Sequence, residues 1–343
     1  MKAMILKAHN QEMSLEEVGE PIPDSHEIIL RVKACGVCGT DLKIVSGMLP
    51  SSVISLPHIL GHEIAGEVVK IGSAVKDITP GQTGLVYFYV TCRNCEMCRT
   101  GKENLCLSIK RLGFELPGGF AQFIKLPAYN FCPHDRSVLP NHMAVLPDAV
   151  ATSYHALKTM AGVSIGQTVL IVGIGGLGIH AVQIAKLMGL KTIAADRRME
   201  PLKLAEKFRS DFLIDTSKQN PVEAIMEITK GRGVDAVIEN VGSKETLGWS
   251  LYCLKRRGRL VLVGYVPSES SCLPTMDMHY NEWNICGSRV STKQELLEVI
   301  DLVEEGKIQP VISKEFFFEE ANEALEFLKQ RKAIGRTILT FKC

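Results

Sequence analysis

Four of the chain's eleven cysteines fall close together as Cys92-x2-Cys95-x2-Cys98-x7-Cys106. Four thiolates at this spacing can close a tetrahedral shell around one Zn²⁺, and a shell filled by four protein ligands leaves no position for a substrate, so the expected ion is structural. Arg93, Arg99 and Lys102 lie among the ligands and offset the charge of a four-thiolate site. Three cysteines at steps of three in a polar loop are not core spacing, and without a secretion signal a metal site is expected rather than a disulfide framework.

Gly173-Ile174-Gly175-Gly176-Leu177-Gly178 follows an apolar run and opens a helical stretch, the context that a dinucleotide fingerprint demands. The glycines permit a tight turn and let backbone N–H groups approach a pyrophosphate at a helix N-terminus. Asp196 stands just past the next strand, where an acidic residue accepts hydrogen bonds from the ribose 2′-hydroxyl. Arg197 and Arg198 follow at once and could attract a 2′-phosphate; the carboxylate is expected to prevail, giving NAD over NADP. A second metal site is less explicit. Cys38 and His62 offer one soft and one imidazole donor, and Glu63, Cys132, His134, Asp135, His142 and Asp148 each remain open as the third ligand of a site with a free fourth position.

These groups need elements to hold them. Residues 1 to about 150 carry short alternating segments such as Ile28–Val32 and Ile64–Ile71 between Gly, Pro and polar turns, which predicts a mostly β region. From about Gln167 the pattern becomes strand, helix, strand, helix: strands at 168–173, 191–195, 234–238 and 259–263, helices over 177–188, near 201–209 and after Asn220-Pro221. That alternation predicts a parallel sheet covered on both faces. Thr292 and Glu295 have capping-box spacing ahead of a helix to about Glu305, and strands at 316–318 and 337–341 flank a last helix. This tail is too short to fold alone and is expected to pack on the first segment, making the nucleotide-type domain an insertion.

With 343 residues, two domains are expected. Lys plus Arg number 39 and Asp plus Glu 38, and a net charge of +1 removes the basic excess of a nucleic-acid binder, including a zinc ribbon of that kind. The longest apolar stretch is broken by glycines and His180, well short of the ~20 residues a membrane span needs. Met1 to Glu12 lacks a signal-peptide core, so the expected location is the cytoplasm.

In order along the chain, Gly36-Val37-Cys38-Gly39-Thr40-Asp41, Gly61-His62-Glu63, the four-cysteine lobe and the glycine fingerprint resemble the zinc-containing alcohol dehydrogenases of the medium-chain dehydrogenase/reductase family, nearly end to end. The resemblance implies an α/β protein: a GroES-like β catalytic domain (residues 1–152 and 290–343) around an inserted Rossmann domain (residues 153–289), with the active site in the cleft between them. Counting back from Thr152-x-Tyr154-x-Ala156-Leu157, it implies Asp148 as the third zinc ligand, a position held by Cys in simple alcohol dehydrogenases and by Glu or Asp in polyol and threonine dehydrogenase relatives. Cys38, His62 and Asp148 would leave the ion formally neutral, Glu63 would be an occasional or outer ligand, and Asp41 would orient His62.

The resemblance further implies two zinc ions per chain, NAD as cofactor, and a small alcohol or carbonyl substrate. Thr40 would accept the alcohol proton. Gly173, Gly175, Gly176, Leu177, Gly178, Asp196 and Arg197 would line the cofactor site, and Arg336 matches the family's pyrophosphate-contacting arginine. Tyr87 and Phe88 are candidates for the substrate wall. The chain departs from the commoner pattern at Lys43, which stands where many relatives carry a relay histidine. A homo-oligomer is implied, a tetramer favoured over a dimer. Alternative readings are a polyol or amino-alcohol dehydrogenase, and a non-catalytic protein that keeps the nucleotide and zinc.

Overall fold

The computed structural model describes residues 1–134 and 138–342. The chain forms two compact units: one comprises Met1–Ala149, Thr292–Gly306 and the segment from Pro310 to the C-terminus, the other Val150–Ser291 with Lys307–Gln309.

The first unit is built around the strand Glu27–Val37, in which β-branched and aliphatic residues alternate with few polar ones and nearly every side chain is buried. On one edge it pairs antiparallel with Glu63–Ile71, and on the other with Phe123–Pro127 along its first half and with Arg336–Thr340 along its last residues. Ile312–Phe317 runs parallel to Arg336–Thr340, so the last residues of the chain complete a sheet begun by the first forty. Register matters here. Gly36 lies opposite Glu63, so the exit of one strand and the entry of the next are neighbours, and Cys38 and His62 fall together although 24 residues apart in sequence. Thr292 caps the helix Lys293–Glu304: its hydroxyl accepts the Glu295 N–H while the Glu295 carboxylate accepts the Thr292 N–H.

The second unit is a six-stranded parallel sheet in the order Phe212–Asp215, Lys191–Asp196, Thr168–Val172, Val234–Glu239, Leu254–Leu262, Asn284–Gly287. The central strands Thr168–Val172 and Val234–Glu239 are buried at every position, the mark of a sheet covered on both faces. Chain order reverses between these two strands. That topological switch opens a crevice at their C-terminal ends, where open α/β sheets bind ligands. The two outermost strands, Phe212–Asp215 and Asn284–Gly287, carry no clear strand pattern in sequence because each is four residues long and only partly buried. The strand expected over 259–263 extends back to Leu254, through Lys255, Arg256 and Arg257, whose polarity had hidden it. Among the described residues no helix is long and apolar enough to cross a membrane.

Candidate active site and metal centres

Cys38 ends the strand Glu27–Val37 and caps the helix Gly39–Val45; the Asp41 carboxylate accepts its backbone N–H at 2.8 Å. Gly61 adopts φ +94°, and a Cβ there would fall 2.4 Å from the Phe120 ring, so glycine alone admits this turn into His62. Asp148 lies in a π-helical turn, Leu146–Val150, a conformation that recurs at functional sites. The donor atoms of these three residues lie within 4.8 Å of one another. Cys38 Sγ is 3.4 Å from Asp148 Oδ2, and His62 Nε2 is 3.8 Å from the same oxygen. A tetrahedron with zinc bonds of about 2.0–2.3 Å has edges of roughly 3.3–3.8 Å, so the trio fits one ion with a corner to spare.

The surroundings sharpen the fit. His62 is wedged between Phe88 and Phe114, each with its ring centroid 5.1 Å away. Burial opposes an imidazolium here, but the neighbouring carboxylates of Asp41 and Asp148 raise the His62 pKa well above its ordinary value. Asp41 Oδ1 stands 3.6 Å from His62 Nδ1, and both atoms are buried without a hydrogen-bond partner. The orienting hydrogen bond expected from Asp41 is therefore a charge contact at this distance. Cys132, His134 and His142 stand outside the trio, and Asp135 lies outside the described residues.

Glu63 and Arg336 occupy places that the sequence did not suggest. Arg336, 5% exposed, donates through Nε to Glu63 Oε1 at 2.9 Å and through Nη2 to Asp148 Oδ2 at 2.5 Å. Where the resemblance implied a pyrophosphate contact, the structure engages both arms of the guanidinium with carboxylates, and Glu63 is held by Arg336 rather than joined to the donor trio. Gly36 makes room: a Cβ there would land 1.8 Å from Glu63 Oε2. Thr40 Oγ1 lies 3.7 Å from Cys38 Sγ, and Lys43 follows it on the same helix, half-buried, its pKa lowered by burial against the opposing pull of Cys38. Phe88 borders His62, whereas Tyr87 is wholly buried with its ring against Tyr89. Phe114, a lone aromatic in a loop, carried no signal in sequence.

The other four cysteines converge as well. Sulfur separations are 3.5 Å (Cys92–Cys106), 3.6 Å (Cys95–Cys98), 3.9 Å (Cys92–Cys98) and 4.0 Å (Cys95–Cys106). These are far longer than a disulfide and close to the ~3.8 Å edge of a four-thiolate zinc tetrahedron. Backbone N–H groups pull the Cys95 thiol down to about 6, while burial and the neighbouring sulfurs push Cys98 up to about 12. A cation in the centre is what would let all four ionise together.

In the parallel-sheet unit, Gly173 has φ +80° and a Cβ on Gly178 would strike the Gly173 carbonyl oxygen at 2.1 Å, so the turn closes only with glycine at both places. Around Gly175 a Cβ would meet nothing within 4 Å, leaving open space for a phosphate against the backbone. Gly176 accepts a hydrogen bond from buried His180 Nδ1 at 2.7 Å, and Leu177 precedes the first turn of the helix Gly178–Leu187. Asp196 Oδ2 accepts the Ile174 N–H at 2.8 Å and Oδ1 the Arg198 N–H at 2.9 Å, tying the glycine turn to the adjoining strand. Arg197 is exposed.

Residues 24–136 match the alcohol dehydrogenase GroES-like domain, and residues 176–305 the zinc-binding dehydrogenase domain. A NAD-dependent alcohol dehydrogenase of Sulfurisphaera tokodaii is 33% identical over 99% of both chains. The chain belongs to the zinc-type alcohol dehydrogenases of the medium-chain dehydrogenase/reductase family. An L-threonine 3-dehydrogenase of Bacillus licheniformis is 30% identical over 99% of this chain and 98% of its own. The crystal structure of the alcohol dehydrogenase from Aeropyrum pernix matches with a TM-score of 0.94 at 34% identity, covering 99% of this chain and 100% of that one.

Two expectations follow for this zinc-type dehydrogenase. Asp148→Ala should lower zinc from two ions per chain to one, the lobe ion remaining; elemental analysis of a fully active wild type that gave one zinc would sink the two-site assignment. Arg336→Met strands Glu63 where no water reaches it and should cost about 3–5 kcal/mol, read as a fall in the urea midpoint, with Arg336→Lys costing less.

Proposed function

We propose that this enzyme transfers a hydride between NAD(H) and a small alcohol or the corresponding aldehyde or ketone. The observation that carries the reading is the buried trio Cys38, His62 and Asp148, an incomplete shell in a chain that also has a complete four-cysteine one. When bound, zinc at the trio supplies Lewis acidity toward an alcohol or carbonyl oxygen, and NAD supplies the hydride acceptor.

The chain's own groups do the remaining work. Thr40, beside Cys38 and half-buried, accepts the hydroxyl proton of the alcohol and passes it outward. Lys43, its pKa lowered by burial, is a better proton acceptor than an exposed lysine and stands one helical turn beyond Thr40. Phe88 and Phe114 keep the His62 ring in place and its surroundings dry. Each Asp196 oxygen that holds a backbone N–H keeps a further lone pair for a ribose hydroxyl, and the fixed negative charge repels a 2′-phosphate.

A polyol or amino-alcohol substrate is the second reading, favoured by the carboxylate at position 148. A non-catalytic nucleotide and zinc protein would have no use for an open donor trio. To the same proposal belong a catalytic domain of residues 1–152 and 290–343 around a dinucleotide domain of residues 153–289, a cytoplasmic location, and a homo-oligomer, tetramer before dimer.

A screen of simple alcohols, diols, polyols and amino alcohols by nicotinamide absorbance tests the substrate class; no turnover of any of them would reject the reading. With the best substrate, kcat/KM should be higher for NAD than for NADP. Asp196→Gly should relax or reverse that preference while also weakening NAD, because the Ile174 N–H loses its acceptor; a wild type that prefers NADP would show that Arg197 and Arg198 govern the site. Thr40→Ala should lose about 100-fold in kcat, and Thr40→Ser should retain most of it. An alanine variant turning over like the wild type would remove Thr40 from the proton path.

A further inference from the structure

At the crevice end of the parallel sheet one carboxylate is buried with no cation beside it. Glu239 is the last residue of the strand Val234–Glu239 and has no exposed surface. Its Oε2 accepts the Gly242 N–H at 2.6 Å and its Oε1 the Val241 N–H at 3.1 Å. Among the described residues no Lys, Arg or His forms an ion pair with it. Burial drives its pKa up while those donors pull it down. An apolar side chain would fill the same space without the desolvation penalty of a carboxylate, so what the group contributes lies in the bonds it makes.

Those bonds hold one turn. Asn240, Val241 and Gly242 leave the sheet at the switch point beside the fingerprint strand. Asn240 Nδ2 donates to the Val172 carbonyl at 3.1 Å, and Val241 Cγ2 would lie 2.7 Å from a Cβ placed on Gly173. On the far side, a Cβ on Gly242, where φ is +77°, would fall 2.4 Å from the backbone of Gly264 and Tyr265. The turn is thus wedged between the glycine fingerprint and the chain leaving the strand Leu254–Leu262, with Val241, 40% exposed, over Gly173.

We infer that Glu239 is a positioning residue for the dinucleotide: by accepting the Val241 and Gly242 N–H groups, its carboxylate holds the 240–242 turn against the glycine fingerprint as one wall of the cofactor crevice. The inference rests on the dehydrogenase reading above. Glu239→Gln keeps the shape but replaces one acceptor with an amide NH₂, leaving one backbone N–H facing a donor. The turn then loosens on its Val241 side, and the wall over Gly173 is no longer fixed.

The test is NADH binding, followed by nicotinamide fluorescence at 25 °C on proteins shown to be folded by circular dichroism. The Kd of Glu239→Gln should rise about tenfold over wild type, with the zinc content of both at two per chain. A purely structural role would lower the melting temperature and leave this Kd alone, so a Kd within twofold of wild type overturns the inference. If the glutamine variant does not fold, Glu239→Asp carries the test. It keeps the charge but draws the carboxylate back by one methylene, and again a Kd within twofold overturns the inference. A wild type that does not bind NADH would overturn the dehydrogenase reading and the inference with it, an outcome distinct from a wild type that binds beside a variant that binds equally well.

Discussion

A guanidinium with almost no access to water must find its acceptors inside the protein, and Arg336 finds carboxylates from two distant parts of the chain. Glu63 opens the strand that follows His62, Asp148 sits in the π-helical turn, and Arg336 itself begins the strand Arg336–Thr340. The ion network therefore fixes, at one point, how the beginning and the end of the first unit meet. It also prepares the donor trio. Nη2 bonds the same Asp148 oxygen, Oδ2, that faces Cys38 and His62, so the donor trio has little freedom to drift apart.

The two cysteine-bearing sites are assembled by different local physics. In the lobe, a short helical turn at Glu96–Arg99 and a two-residue ladder between Tyr89–Val90 and Lys110–Arg111 bring four sulfurs together within one surface loop. Arg93 lies 4.5 Å over the ring of Tyr129 and Lys293 4.0 Å from its centre, so the lobe is steadied by cation–π contacts. The trio, by contrast, is assembled by sheet register and lined with aromatic rings. One site needs only a loop, the other a whole domain.

This difference explains what could be read from residues alone. The convergence of the lobe cysteines is legible because their spacing is local, and the glycine turn beside Asp196 because a strand, a turn and a helix follow one another directly. Cys38 and His62 stood out by motif, but the residue pattern left six candidates for their partner, and only family resemblance pointed to Asp148. The π-helical turn that aims it is imposed by tertiary packing. Phe114, His180 and Glu239 were invisible for a related reason: each is an ordinary residue type whose role arises from what surrounds it after folding. Family resemblance marked Arg336 as a pyrophosphate contact, whereas its burial between Glu63 and Asp148 depends on which strands become neighbours. The outermost strands of the parallel sheet were missed because short, half-exposed segments lack the burial that writes a strand into sequence.

The last residues of the strand Glu27–Val37 obtain their second edge partner from Arg336–Thr340, roughly 300 residues later. On the ribosome the N-terminal segment must therefore wait. Between the synthesis of Ala149 and that of Arg336 roughly 190 residues are added, which at ~5–20 residues per second is on the order of 10–40 s. For that interval only the Ala34–Val37 end of a hydrophobic central strand has a bare edge, a form prone to pairing with another nascent chain. The Val150–Ser291 segment, contiguous but for Lys307–Gln309, can begin to fold meanwhile. Vectorial synthesis thus favours the interior of the gene product before its ends, and chaperone capture of the waiting N-terminal segment is the cellular cost of a sheet closed by the last strand made.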